Sequence, residues 1–130
     1  DLEQEEFCFD IAYDDEGASL LINSNEQMIA EKLRSLLKFG TLSGRYKDIF
    51  DIYYLFHHVK QDRLNRCLAI FILDDPGMRE NDMQGIYNRV SMVFKNKMYL
   101  RNLKSRDVNW LGEDVDVVLK GILEYIKALI

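Results

Sequence analysis

Proline occurs only at Pro76 and glycine at seven of the 130 positions. So little turn chemistry argues against a β-sandwich, and 48% apolar or aromatic residues argue against a disordered tail. No apolar run approaches the length of a membrane span. The longest, around Leu68 to Leu73, is far too short, and a non-membrane protein is expected. Cysteine is limited to Cys8 and Cys67, with neither a C-x-x-C pair nor histidines at metal-binding spacing. With no signal peptide, the pair is expected to be reduced, buried thiols in a cytoplasmic protein. The net charge of -5 argues against a uniformly basic nucleic-acid surface. The local cluster Lys95, Lys97, Arg101, Lys104 and Arg106 is read as a solvated face, with contact to phosphates as the alternative. The chain also has no P-loop, G-x-G-x-x-G, H-E-x-x-H or nucleophile elbow. His57 and His58 are adjacent, so on a helix they point about 100° apart and cannot share a metal as an i, i+4 pair would.

What is present reads as α+β and predominantly α: a short N-terminal β-hairpin followed by about five helices. The chain is expected to form a single domain, 1–130, with a hairpin unit at 1–24 and a helical part at 25–130. Phe7 to Ala12 and Ser19 to Ile22 read as strands, with Asp14, Asp15, Glu16 and Gly17 as the turn. A lone hairpin is marginal, so this one should lie on the helices or extend a sheet whose other strands precede it. Asp1 in place of methionine suggests a trimmed fragment. Ser24 is a good N-cap with Gln27 at the capping-box position, for a helix running to Phe39 and stopped by Gly40. Further helices are expected at about Arg45 to Val59, Asp62 to Leu73, Glu80 to Lys95 and Glu113 to Leu129. Val117, Leu119, Ile122, Ile126 and Leu129 should face inward on the last. Asn96 to Asn109 is ambiguous. Phe50, Tyr53, Tyr54 and Phe56 are read as core rather than as a stacking platform.

Misplaced charge is the functional signal. Met28, Ile29, Leu33, Leu36 and Leu37 fill one arc of the first helix, and Lys32 falls inside it. Asp48 shares a face with Ile52, Leu55 and Val59, where a bare carboxylate is costly. Such charges need counter-charges, metals or phosphates nearby. The plain alternatives are a lysine that snorkels to water and a first-turn aspartate that pairs with Arg45. Asp10 alternates onto the strand face of Cys8 and Ala12, opposite Phe7, Phe9 and Ile11, where it is either a solvated aspartate or part of a working face. Lys32, Arg45, Lys47, Asp48 and Asp51 are the residues that could converge on it.

NEQMIAEKLRSLL at 25–37 followed by GRYKDIFDIYYL at 44–55 resembles the nucleotidyltransferases of the AbiEii/AbiGii toxin family, in which a glutamate-to-lysine helix precedes an Arg-x-Lys-Asp-x-x-Asp helix. FDIAYDDEG at 9–17 looks like that family's strand bearing the third acid of a polymerase-beta-like centre, and Trp110 fits its helical C-terminal part. The hairpin would then be the remnant of that fold's sheet. The resemblance implies a Mg²⁺-dependent transfer of a nucleotide from a nucleoside triphosphate to an acceptor such as RNA, by a bacterial toxin of a toxin–antitoxin or phage-defence system. It implies Asp10, Lys32 and Asp48 as catalytic, with Asp10 also a metal ligand. Glu26, Arg45, Lys47 and Asp51 would support nucleotide binding. Carboxylates would hold Mg²⁺ and a cation would face the departing pyrophosphate. The family's Gly-Ser motif and earlier acidic pair are missing from this chain, so the catalytic set is incomplete and the polypeptide alone is expected to be inactive. An antitoxin and a second copy paired through the hairpin edge are the expected protein partners. The contrasting reading is a non-catalytic helical interaction module, whose charges form a partner surface and whose hairpin accepts an added strand.

Overall fold

A computed structural model describes residues 8–13 and 19–130, with backbone alone for 9–13 and 19–22. The expected turn at Asp14 to Gly17, the Phe7 start of the first strand and the facing of the Asp10 side chain lie outside the described residues. The strands β1 (Phe9–Tyr13) and β2 (Ser19–Asn23) pair antiparallel, with Phe9 opposite Asn23, Asp10 opposite Ile22 and Tyr13 opposite Ser19.

Six α-helices follow among the described residues: α1 (Asn25–Phe39), α2 (Lys47–Phe56), α3 (Gln61–Leu68), α4 (Met83–Lys95), α5 (Lys97–Ser105) and α6 (Val115–Ala128). The expected α+β class, with a remnant of a nucleotidyltransferase sheet, is therefore corrected to a helical fold. Among the described residues the two strands pair only with each other, and the apolar faces of the helices, joined by Cys8, build the described core. Amphipathic faces at helical spacing bury one another without needing a sheet. The ambiguous stretch proves to be a sixth helix, because Asn96 caps it by accepting the Tyr99 N–H at 2.9 Å.

Ser24 caps α1 by accepting the Gln27 N–H at 3.0 Å, and its hydroxyl donates to the Cys8 carbonyl oxygen. Gly40 ends the helix at φ +56°, and a Cβ there would come within 3.2 Å of Arg89 Nη2. After α3 the chain widens into a π turn, Ala69–Leu73, in place of the uninterrupted α-helix expected to Leu73. Arg34 of α1 braces that turn by donating to the Phe71 carbonyl at 2.7 Å and pairing with Asp75. The α2 and α6 helices approach closely at Gly121, where an added Cβ would meet Tyr53 Cε1 at 2.5 Å. On α6, Val118, Leu119, Ile122 and Ile126 are buried, whereas Val117 is exposed. The cap at Asp114 starts this helix two residues later than expected.

Cys8 and Cys67 are a disulfide, with Cα atoms 5.9 Å apart, a separation a bridge can span. The expectation of free thiols is corrected. Both cysteines are fully buried, as expected, but the capped turn at Cys8 lies against α3 and brings the two together, which spacing in the sequence does not reveal.

Candidate active site

The segment R-Y-K-D-x-x-D places Asp48 and Asp51 on adjacent turns of α2, three residues apart and so on one face. Helix α1 packs beside α2 and delivers Lys32 between them. Its Nζ lies 3.0 Å from Asp48 Oδ1 and 3.3 Å from Asp51 Oδ2. Each carboxylate has a second cation: Arg45 Nε donates to Asp48 Oδ2 at 2.7 Å, and Lys47 Nζ lies 3.2 Å from Asp51 Oδ2. Asp48 is 8% exposed, so this carboxylate is buried but fully compensated. The expectation that the misplaced charges have counter-charges is thereby explained, and the lysine does not simply reach into water.

Asp51 has one further partner. The Trp110 indole donates Nε1–H to its Oδ1 at 2.8 Å. Burial would push the Asp51 carboxyl up, but the hydrogen bonds from Trp110, Lys47 and Lys32 outweigh it and hold the group below the usual carboxylate range. Hydrogen bonding to Asp48, and its charge, raise the Arg45 guanidinium in turn. Tyr99 lies under the cluster with its ring 5.3 Å from that of Tyr46. Burial chiefly, then Tyr46 and Asp48, push its hydroxyl well above the ordinary tyrosine value.

Lys32 borders two clefts. A polar one of about 320 Å³ is lined by Asn23, Met28, Glu31, Lys32, Ser35, Arg45 and Asp48. An aromatic one of about 350 Å³ is lined by Met28, Lys32, Asp51, Tyr54, Leu55 and Trp110. An ammonium has three donors, and the two carboxylates engage two of them. The third is left to face an anion in the polar cleft, which the Arg45 cation and the Glu31 and Asp48 carboxylates also line.

The family model of the nucleotidyl transferase AbiEii toxin, of type IV toxin–antitoxin systems, matches residues 2–106. The chain belongs to the AbiEii family. No curated protein and no solved structure matches it. Membership makes it a nucleotidyl transferase toxin of a type IV system and implies a nucleotide substrate and an antitoxin. No helix among the described residues is long and apolar enough to cross a membrane.

Of the residues singled out from the AbiEii resemblance, the structure gathers Lys32, Arg45, Lys47, Asp48 and Asp51 into one network. Asp10 sits in β1 opposite Ile22, and its side chain lies outside the described residues. Glu26 is not brought to the site. It is buried on another side of α1, 3.5 Å from Arg63 Nε of α3. Sequence reasoning missed Trp110 and Tyr54 as site residues. Phe50 and Phe56 are core, as expected, and Tyr53 is half-buried, but Tyr54 faces out beside Trp110. The helical period of α2 could have flagged it, because Tyr54 lies three residues after Asp51. Trp110 is remote in sequence and carries no such signal.

Proposed function

We propose that this chain supplies the phosphate-facing part of a Mg²⁺-dependent nucleotidyl-transfer centre that moves a nucleotide from a nucleoside triphosphate to an RNA acceptor. The observation that carries the reading is Lys32, held between Asp48 and Asp51 at the mouth of a polar cleft. Fixed cations aimed at a phosphate stabilise the negative charge that builds on the departing pyrophosphate. In this reading Lys32 contacts the phosphates, Arg45 adds a second positive group, and Asp48 positions both. Lys47 and Asp51 hold the other side of Lys32.

Magnesium does not fit the described residues. A Mg²⁺ site combines one or two available carboxylates with phosphate oxygens, whereas Asp48 and Asp51 are each occupied by two cations. No group of three or more His, Cys, Asp and Glu residues among the described residues could hold a metal. Asp10 is the carboxylate this reading assigns to the metal, on the strength of the family resemblance. Because the 130 residues contain no Gly-Ser motif, the chain by itself is expected to turn over no nucleotide.

The test is pyrophosphate release by the full-length gene product and its Lys32→Ala and Asp48→Ala variants, with the 130-residue chain assayed in parallel. Activity in the full-length protein should fall by about two orders of magnitude or more in each variant. Equal rates in all three would remove both residues from the mechanism.

A further inference from the structure

The cleft on the far side of Lys32 has features that phosphate binding does not use. Trp110 is 51% exposed and Tyr54 38% exposed, and their ring centroids lie 5.4 Å apart at an interplanar angle of 38°. His58 backs Tyr54 at 4.6 Å. What sets these two rings apart from single exposed apolar residues is that they line one open cleft together with Lys32. Nor is the indole loosely placed. Its Nε1–H is fixed on Asp51, and the loop behind it is tied by Asn109 Nδ2 donating to the Glu113 carbonyl at 2.6 Å and by the Gly112 N–H donating to Asn109 Oδ1 at 3.1 Å. Gly112 sits at φ +70°, a conformation that favours glycine. A rigid, pre-oriented aromatic face loses little entropy when a ring stacks on it.

We infer that the Tyr54–Trp110 wall is a nucleobase-stacking subsite, with the ammonium of Lys32 as its boundary with the phosphate cleft. The inference rests on the nucleotidyl-transfer reading and extends it to the base. Its chemistry follows from the shared lysine. One cleft offers the Lys32 and Arg45 cations to a phosphate, the adjoining one offers aromatic and apolar walls, and the ligand suited to both carries a phosphate and a flat heteroaromatic ring. Stacking of this kind tolerates any base, because every base has a π face. The wall thus predicts affinity for nucleotides with little preference among the four. The base could belong to the donor triphosphate or to the acceptor's terminal nucleotide, and the two sources are separable.

Binding of ATP, CTP, GTP and UTP in turn, of a short single-stranded RNA, and of inorganic tripolyphosphate would be measured by calorimetry on the full-length gene product. Trp110→Ala, Trp110→Phe, Tyr54→Ala and Lys32→Ala variants would be compared with wild type. Tripolyphosphate has no ring, so the readout is each variant's affinity for a base-bearing ligand divided by its affinity for tripolyphosphate. This ratio is expected to fall about 5- to 100-fold in Trp110→Ala and Tyr54→Ala and less in Trp110→Phe. Loss with the triphosphates places the donor's base on the wall, and loss with the RNA places the acceptor's. Both support the subsite. An unchanged ratio in Trp110→Ala and Tyr54→Ala, with binding still dependent on Lys32, overturns the stacking subsite alone. Tripolyphosphate binding that is undetectable, or indifferent to Lys32→Ala, overturns the phosphate reading and this inference with it. Should Trp110→Ala fail to fold, Tyr54→Ala decides, since Tyr54 makes no bond to the charge network.

Discussion

Replacing Lys32 by methionine keeps most of the side chain's length and volume while deleting the ammonium, so it isolates the electrostatic part of the network. Nζ sits 3.0 Å from Asp48 and 3.3 Å from Asp51, and the lysine, Asp48 and Asp51 side chains are 19%, 11% and 15% exposed. At an effective dielectric of about 20, each contact has a gross attraction of roughly 5 kcal/mol, most of which is cancelled by desolvating and ordering the partners. A partly buried charged hydrogen bond contributes about 1.5 kcal/mol net. The loss is limited further because neither carboxylate is stranded: Asp48 keeps Arg45, and Asp51 keeps Lys47 and Trp110. Lys32→Met should therefore destabilise the fold by about 2 kcal/mol, below the ~3–5 kcal/mol of an orphaned buried charge. Urea unfolding of wild type, Lys32→Met, Asp48→Asn and the double variant should give a coupling energy of about 1 kcal/mol, reduced but still present in 1 M salt. A coupling under about 0.3 kcal/mol would refute an energetic link between Lys32 and Asp48 and leave Asp51 as the ammonium's ion-pair partner.

Three further perturbations have defined outcomes. The Cys8–Cys67 bridge spans 59 positions, so chain-entropy reasoning gives it up to about 4 kcal/mol; dithiothreitol should lower the urea midpoint of wild type and leave that of Cys67→Ser unmoved, and an identical wild-type midpoint with and without reductant would refute the link. Gly121→Ala gains about 1 kcal/mol of helix propensity, but its methyl would sit 2.5 Å from Tyr53 Cε1 and overpacking costs about 1–3 kcal/mol; net destabilisation near 1 kcal/mol is expected in thermal melts, and a raised melting temperature would show that the ring swings aside freely. The depressed Asp51 carboxyl contributes stability that is fully present above its ordinary value of 3.8 and is lost as pH falls through the lower folded value; Asp51→Asn should flatten the acid limb of the stability curve below about pH 4, and an unchanged limb would refute that contribution.

The first helix was legible almost to the residue, because Ser24, Gln27 and Gly40 make their own local hydrogen bonds and backbone turn. The charged half of the site was legible for a similar reason. Lys-Asp-x-x-Asp fixes two carboxylates on one helical face, and the apolar surroundings of Lys32 demand a partner. What could not be read depended on contacts between distant segments. Cys8 meets Cys67 and Trp110 meets Asp51 through tertiary packing, and neither pairing leaves a periodic trace. On α6 the expected inward residues Leu119, Ile122 and Ile126 are buried, but at the first turn Val118 takes the place expected of Val117, which lies about 100° away around the helix. Among the described residues the sheet expected from the family resemblance is a single two-stranded pair. Among the described residues the helices' apolar stripes satisfy one another, and the two strands pair only between themselves.

The bridge between Cys8 and Cys67 has a topological consequence for the catalytic candidates. Asp10, Lys32, Arg45, Lys47, Asp48 and Asp51 all lie between the two sulfurs in sequence, so the oxidised chain carries them on one closed covalent circle. A protease that clipped the exposed connector at Leu42, between the lysine-bearing and aspartate-bearing helices, would open the circle without releasing either fragment. Both halves would migrate together on a non-reducing gel and separate only when the sulfurs are parted as well.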